Sequence, residues 1–293
     1  MSDAVTLSPR GTLPDGLEMG ALRPDRLAEL EEGPIARLPV WVGPRAADVG
    51  DFFHVRGGRS ADVRIEGTMA RVDGLGRGMT AGRLLVDGDA GSFVGAEMAG
   101  GSIDVRGGVG DDAGAGMTGG TLRVAGRAGH RLGGALPGAS AGMRGGEIVA
   151  GGPAGTEVAL RCRRGLVWVG GSVGDHAARA MIAGTLIVLG AIGASPGRGN
   201  KRGSLVAMGP VVVPSTYRYS CTFESHWLRL VLRHLRTRYG LTVEDRLSEA
   251  RYARYCGDAG RPGKGEILVI EGGAVTPSAS RRGSAPGGVV SQT

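Results

Sequence analysis

Short stretches in which every second residue is apolar recur through the middle of the chain, and each stretch is bounded by glycine. The first apolar position of each stretch is aliphatic: Leu84, Ile103, Leu122, Ile148, Val167, Leu186 and Leu205. The second is valine or alanine: Val86, Val105, Val124, Ala150, Val169, Val188 and Ala207. Alternation at period two, rich in branched side chains, predicts short β-strands with one face turned inward.

The stretches follow a repeat of 19 residues. Each copy opens five positions before its first aliphatic residue, at the markers Met79, Met98, Met117, Met143, Cys162, Met181 and Asn200. The third and the ninth residue after every marker are glycine, which predicts tight corners between strand-like legs. One interval is longer, from Met117 to Met143, and its extra residues around Leu132 to Ala139 are expected to bulge out as a loop.

A second apolar lane lies eleven residues after the markers: Ala90, Val109, Ala128, Ala154, Val173 and Ile192. A unit with two such short legs cannot bury its own apolar face, so consecutive units must stack as coils of a parallel β-solenoid. Two rival repeats fit poorly. Hexapeptide helices need a period of six, and calcium-binding nonapeptide repeats need a recurrent aspartate, whereas Asp89, Asp111 and Asp175 do not form a column.

The repeat divides the chain into four segments. We predict an N-terminal cap over residues 1–57, a mainly β solenoid of about seven 19-residue coils over 58–213, a helical C-terminal extension over 214–272 and a disordered tail over 273–293. The cap is expected to hold a short helix from Arg23 to Leu30 that begins near a proline.

Further elements are predicted outside the regular repeats. Leu38 to Val42 reads as a strand, and Val63 with Ile65 as a degenerate first coil. In the extension we predict a helix from Thr222 to Tyr239 and a second helix from Glu244 to Tyr255. A strand is predicted from Glu266 to Ile270.

Composition narrows the class of protein. The chain has 293 residues, of which 57 are glycine and 4% are aromatic, a composition that fits a protein with a thin core. Its net charge of +7 suggests an acidic partner. The sequence carries no apolar run long enough to span a membrane and no signal-peptide core, so a cytoplasmic location is expected. The cysteines and histidines show no metal-ligand spacing, and no nucleophile context is evident, so the chain is interpreted as non-catalytic.

Basic residues gather near one corner of the later coils: Arg144, Arg161, Arg163, Arg164, Arg179, Arg198, Lys201 and Arg202. Like charges stacked at the strand spacing repel unless an anion or an acidic surface compensates them. This motivates the hypothesis that the corner binds a polyanion. The alternative is that these side chains extend into solvent or pair with acidic residues of a neighbouring subunit. Nucleic acid is disfavoured because no aromatic platform accompanies the charge.

The sixth position after the marker points away from the interior and becomes apolar in the later coils: Val149, Trp168, Ile187 and Val206. A stripe of this kind must be covered, either by the C-terminal helix or by another protein.

The Met-x-Gly-Gly-x-Ile-x-Val-x-Gly pattern at Met98 to Gly107 resembles the right-handed β-solenoid of glutamate synthase and of the C subunit of formylmethanofuran dehydrogenases. Three flanking segments are similar to the C subunit of the bacterial formyltransferase/hydrolase complex: Val49 to Val55, Cys221 to Glu224, and Tyr255 to Asp258 before Gly263 to Leu268.

This resemblance implies a scaffold subunit of a complex that moves one-carbon units from formyl-tetrahydromethanopterin, through a methanofuran-type carrier, to formate. Its partners would be amidohydrolase-like, formyltransferase-like and dehydrogenase-like subunits, with neither nucleic acid nor membrane. The chemistry would belong to those subunits, and the carrier's glutamate-rich tail is a candidate polyanion for the basic corner. The alternatives are the C subunit of a molybdenum or tungsten formylmethanofuran dehydrogenase and a stand-alone polyanion-binding solenoid.

Overall fold

The computed structural model describes residues 4–260, 263–272 and 275–277, the last three as backbone only. Its strands are β1 (Val5–Pro9), β2 (Leu17–Glu18), β3 (Pro39–Val42), β4 (Arg45–Asp48), β5 (Phe53–Arg56), β6 (Asp62–Ile65), β7 (Val72–Asp73), β8 (Arg83–Val86), β9 (Ser102–Val105), β10 (Thr121–Val124), β11 (Arg144–Ala150), β12 (Arg164–Val169), β13 (Thr185–Val188), β14 (Ser204–Ala207), β15 (Val211–Val213), β16 (Arg218–Glu224), β17 (Arg251–Gly257), β18 (Gly265–Ile270) and β19 (Val275–Pro277). Its helices are α1 (Pro24–Leu27), α2 (Glu32–Ala36), α3 (Val49–Phe52), α4 (His226–Tyr239) and α5 (Asp245–Glu249).

A single 13-stranded sheet dominates the fold. Strands β6 and β8 to β14 pair in parallel in the order in which they occur along the chain. Strand β1 continues the parallel run beyond β6, and β18 continues it beyond β14. Antiparallel strands complete the two ends, with β5 beside β1 and the pair β17 and β16 beyond β18. The flanking segments therefore join the same sheet as the repeats.

The register aligns the apolar columns. Leu84 pairs with Ile103, Ile103 pairs with Leu122, and the column continues to Ile267 in β18. The second lane forms single parallel bridges in unbroken sequence: Met69, Ala90, Val109, Ala128, Ala154, Val173, Ile192 and Val211. Two lanes that both advance by one unit at a time are the arrangement of a β-solenoid, as the columns predict.

The markers point into the core between these lanes. Every methionine marker and Cys162 have no solvent exposure, and Asn200 is 1% exposed. Asn200 is polar, but its carboxamide accepts a hydrogen bond from the amide of Gly203 and donates one to the Gly203 carbonyl, each at 2.8 Å. Because both polar ends are satisfied, the asparagine is compatible with a buried position.

Aspartates at one corner hold adjacent units together. Contrary to the expectation from the sequence, Asp111 and Asp175 do share a position in the unit, together with Asp73. Each carboxylate accepts the backbone N–H of the equivalent residue one unit later, at 2.6 to 2.7 Å. These three aspartates therefore have a structural role at this corner.

The predicted helices of the extension require correction. The helix predicted from Thr222 begins at His226, because Thr222 to Glu224 belong to β16. The helix predicted over Glu244 to Tyr255 ends at Glu249, and the rest of that range is β17. Both strands form because they pair with each other, and β17 also pairs with β18, contacts that local helical spacing does not reveal. In the N-terminal segment, the helix predicted from Arg23 to Leu30 is shorter, since α1 begins at Pro24 and ends at Leu27.

Helix α4 covers the apolar outer stripe. Leu228, Leu232 and Leu235 from the helix are at most 1% exposed and form a second core. The sheet residues beneath them are Val149, Trp168, Ile187, Val206 and Leu268. The C-terminal helix of the same chain is thus the cover for this stripe.

Strand β19 lies within the predicted disordered tail and pairs in parallel with β15. The other residues of 273–293 lie outside the described residues. Within the described residues, none of the helices has the length and apolarity that crossing a membrane requires.

Candidate functional site

The eight basic residues of the predicted corner fall into two groups. Five follow a buried marker in the sequence and are exposed where β11, β12 and β14 begin: Arg144, Arg163, Arg164, Lys201 and Arg202. We call these five, together with Lys264 just before β18, the basic ridge. The other three precede a buried marker and line a cavity, which we call the groove: Arg161, Arg179 and Arg198. Arg161 lies one residue before its marker, whereas Arg179 and Arg198 lie two residues before theirs. The Arg161 amide accordingly donates to the Arg179 carbonyl of the next unit.

The basic ridge stacks cations along the sheet. Arg144 and Arg164 are register partners on adjacent strands, which lie about 4.8 Å apart. Arg163 lies beside them, since its amide donates to the carbonyl of the marker Met143. Among the described residues, no ion pair involves any ridge side chain, whereas basic residues nearby such as Arg238 and Arg254 are paired. The ridge therefore carries uncompensated positive charge.

Lys264 extends this ridge, although it lies outside the seven predicted copies of the repeat. Its amide donates to the carbonyl of Lys201, and β18 pairs with β14 as a further strand of the parallel run. A signal for this placement exists in the sequence. Gly265-Glu266-Ile267 repeats the glycine–polar–aliphatic order of Gly203-Ser204-Leu205, so the residue just before it falls in line with Arg202.

The acidic side chains beside the ridge already have partners. Glu147 lies 2.8 Å from His234 Nε2 and accepts a hydrogen bond from the Tyr239 hydroxyl. Burial and this bond to Glu147 raise the pKa of Tyr239 to about 12, so the phenol stays protonated. Glu266 accepts from the Ser204 hydroxyl at 2.6 Å and lies 2.7 Å from Arg254. Both carboxylates anchor the extension to the sheet rather than neutralising the ridge.

The groove has a volume of about 770 Å³ and is lined mostly by residues of the repeats, from Glu157 to Gly199, together with residues of the C-terminal extension. Arg161 also holds the loop formed by the extra residues around Leu132 to Ala139, because its Nη1 donates to the Ala139 carbonyl at 2.9 Å. The ends of that loop pack back onto the core, with Ala135 and Ala141 buried. The extension supplies Thr216 and Asp258 to the groove.

Asp258 forms a fixed acidic wall of the groove. It is 6% exposed and accepts hydrogen bonds from the amides of Gly199 and Gly260, each at 3.0 Å. Burial works to raise the pKa of Asp258, but these amides, the Thr216 hydroxyl and the nearby Arg198 outweigh it and lower the pKa. The carboxylate is thus ionised and turned toward its own backbone partners.

Arg179 is the one groove cation with an acidic partner among the described residues, since it forms an ion pair with Glu157. Neither Arg198 nor Arg161 forms an ion pair within the described part of the chain, and Arg161 donates to the neutral Ala139 carbonyl. Two guanidinium groups in the groove therefore remain available to an anionic ligand.

Among the described residues, no group of three or more cysteine, histidine and acidic side chains could hold a metal ion. Of the three cysteines, Cys162 is fully buried, Cys221 is exposed and Cys256 is half-buried. Burial raises the pKa of the Cys162 thiol to about 12.

This burial gives a prediction for thiol reactivity. At pH 8 iodoacetamide should modify Cys221 and leave Cys162 unmodified in the folded chain, because the thiol is both enclosed and protonated. After unfolding in denaturant, Cys162 should react at the rate of an ordinary thiol. Mass spectrometry of the alkylated peptides checks this, and rapid native labelling of Cys162 would contradict the buried marker position.

Comparisons with known proteins point to one family. No family model matches the chain. The C subunit of molybdenum-containing formylmethanofuran dehydrogenase 1 from Methanosarcina barkeri is 35% identical over 95 residues, which cover 31% of this chain and 32% of that protein. The C subunit of the formyltransferase/hydrolase complex Fhc from Methylorubrum extorquens is 38% identical over 86 residues, covering 29% and 32%. The matched stretch thus spans about a third of each of these curated relatives.

A solved structure extends the similarity over most of the chain. The X-ray crystal structure of the formyltransferase/hydrolase complex (FhcABCD) from Methylorubrum extorquens was determined in complex with methylofuran. One of its chains is 37% identical to this one, with a TM-score of 0.83. The match covers 90% of this chain and 98% of that chain, so it includes segments outside the repeats.

Proposed function

The chain belongs to the C-subunit family that formylmethanofuran dehydrogenases share with the formyltransferase/hydrolase complex, and from this membership we propose that it is a non-catalytic scaffold subunit of a cytoplasmic formyltransferase/hydrolase complex. In this proposal the complex moves one-carbon units from formyl-tetrahydromethanopterin, through a methanofuran-type carrier, to formate. Partner subunits, of amidohydrolase-like, formyltransferase-like and dehydrogenase-like types, perform the chemistry. The scaffold positions them and holds the carrier.

The observation that carries the proposal is the uncompensated basic ridge. Six exposed cations, from Arg144 to Lys264, lie along one line of strand starts without an acidic partner among the described residues. A glutamate-rich carrier tail would place carboxylates along such a line, with each contact weak and the sum strong. The related complex contains methylofuran, which supports a carrier of this type as the ligand.

The proposal also covers the handedness of the solenoid and the domain boundaries of the chain. We infer a right-handed parallel β-solenoid of about seven 19-residue coils over residues 58–213. The inferred cap covers 1–57 and the extension 214–272. The repeat spacing and the parallel register support this organisation.

A molybdenum or tungsten formylmethanofuran dehydrogenase is the second candidate assembly, because several curated relatives are subunits of such enzymes. The solved structure favours the first candidate, because it is a formyltransferase/hydrolase complex, one chain of which matches 90% of this chain at 37% identity. In the sequence comparison, subunits of both kinds cover about 30% of this chain. Elemental analysis of the purified complex separates the two, since only the dehydrogenase would contain molybdenum or tungsten.

Charge reversal on the ridge tests the role in carrier binding. We expect the carrier content of the purified complex to fall at least about tenfold in the triple variant Arg163→Glu, Arg164→Glu, Arg202→Glu. Three attractive contacts with the carrier's carboxylates become repulsive. The carrier is measured by mass spectrometry after denaturing the complex, and gel electrophoresis shows which subunits are present.

A matched control separates this effect from general charge. Arg56→Glu, Arg123→Glu and Arg127→Glu change the net charge equally at exposed positions of earlier strands and corners. This control should retain the carrier in full. Unchanged retention in the ridge variant, with all subunits present, would reject the ridge as the carrier site, whereas purification of the chain without partners would reject the scaffold role itself.

A further inference from the structure

The groove differs from the ridge in shape and in charge. The ridge is an exposed line of cations, whereas the groove is a cavity that residues of the repeats line together with Thr216, Asp258 and Gly260 of the extension. Its two carboxylates are already engaged, Glu157 by Arg179 and Asp258 by backbone amides. The groove therefore offers a defined number of free cationic groups.

The backbone positions of Arg161 and Arg198 lie at a fixed separation. The Arg161 amide binds the Arg179 carbonyl in the next unit, and the Ala180 amide binds the Arg198 carbonyl one unit further. Arg161 and Arg198 are thus two units apart along the stack, roughly 10 Å at the strand spacing. Arg179 lies between them and is neutralised by Glu157.

We propose that the groove is a second anion site, which binds a ligand carrying two carboxylates on one extended chain, one held by Arg161 and the other by Arg198. The guanidinium groups donate charge-assisted hydrogen bonds to the carboxylates. The Arg179–Glu157 pair spans the middle and presents no net charge there. The negative charge of Asp258 offsets part of the positive charge of Arg198. A ligand with a single carboxylate therefore binds weakly when Arg198 alone holds it.

This site does not depend on the proposed function. The groove residues are present whichever complex the chain joins, and the ridge variants leave Arg161, Arg179 and Arg198 intact. Failure of the carrier test on the ridge would therefore leave the groove proposal standing, and the reverse also holds.

Titration calorimetry of the full-length chain with two linear dicarboxylates tests the site. Sebacate is long enough to reach both arginines, whereas succinate reaches only one. We expect sebacate to bind at least tenfold more tightly than succinate at the same ionic strength. Equal affinities, or no detectable binding of sebacate, would overturn the proposal.

Variants identify the residues involved. Arg161→Gln and Arg198→Gln retain a hydrogen-bond donor but lose the positive charge, and each should therefore weaken sebacate binding roughly tenfold, which is about 1.4 kcal/mol. Glu157→Gln should strengthen it, because Arg179 then gains a free positive charge. Arg123→Gln, at an exposed position outside both the ridge and the groove, is the matched control and should bind as the unmodified chain does. Equal weakening by Arg123→Gln would show non-specific attraction and refute a defined site.

Two natural sources could supply this ligand chemistry, the carrier's acidic tail and an acidic segment of a partner subunit. Sebacate titration of the purified complex distinguishes them. If the carrier occupies the groove, the complex binds sebacate only after carrier removal. If a partner segment occupies it, binding is blocked with and without carrier. Unhindered sebacate binding to the complex in both states would exclude an occupant of either kind and so contradict the proposed role of the groove.

Discussion

Gly120→Ala is expected to destabilise the fold by about 3 kcal/mol, against about 1 kcal/mol for Gly138→Ala. The two glycines have the same φ of +78°, so both substitutions force an L-residue into the left-handed region. Their surroundings differ. A Cβ at Gly120 would lie 2.8 Å from the Gly101 carbonyl oxygen and 2.6 Å from Met98 Cε, whereas a Cβ at Gly138 would meet nothing within 4 Å.

The difference between the two variants isolates the cost of pushing neighbouring units apart. Backbone strain is common to both, and only Gly120→Ala also presses against the unit below it. Chemical denaturation of each variant, followed by circular dichroism, gives the two midpoints. Equal midpoints would mean that the corner glycines are needed for their φ alone and that the units have room to spare at this corner.

The stacked strands could be predicted from the sequence because their signals are local. Each unit carries its own alternation and its own glycines, so the 19-residue spacing alone aligns Leu84 with Ile103 and Leu122. The buried markers follow for the same reason, since a position that repeats once per unit keeps one orientation to the core. The outer apolar stripe could be predicted as well, because the sixth position after each marker is apolar from Val149 onward.

The strands of the extension could not be predicted in this way. The spacing of Leu247, Tyr252 and Tyr255 is compatible with a helix, and the segment becomes strand β17 only where β16 and β18 flank it. Those partners lie far away in the sequence, and their pairing energy outweighs a weak local preference.

The candidate site shows the same division. The register predicted that Arg144, Arg163 and Arg164 would gather at one corner, and Arg144 and Arg164 are indeed partners. The separation of Arg161, Arg179 and Arg198 into a groove could not be foreseen, because part of its wall comes from the extension, at Thr216 and Asp258. A periodic pattern carries no information about segments that break the period.

Trp168→Ala is expected to cost about 4 kcal/mol of folding free energy, the usual range for removing a large aromatic residue from a core. Trp168 is 2% exposed and lies in the stripe beneath α4, in a cluster with Leu232 and Leu235. Trp41→Ala is the matched control, since Trp41 is 45% exposed on β3 and should cost less than about 1 kcal/mol. Chemical denaturation of both variants measures the difference.

The loss should fall on the helix rather than on the whole solenoid. The stripe forms a core of its own, separate from the interior that the markers fill, so a cavity beneath α4 weakens the attachment of the helix first. Hydrogen exchange of residues 226–239 should therefore accelerate in Trp168→Ala while exchange of β9 and β10 stays slow. Uniform acceleration through all the strands would instead mean that the two cores unfold as one unit, and that the helix is needed for the stack itself and not only as its cover.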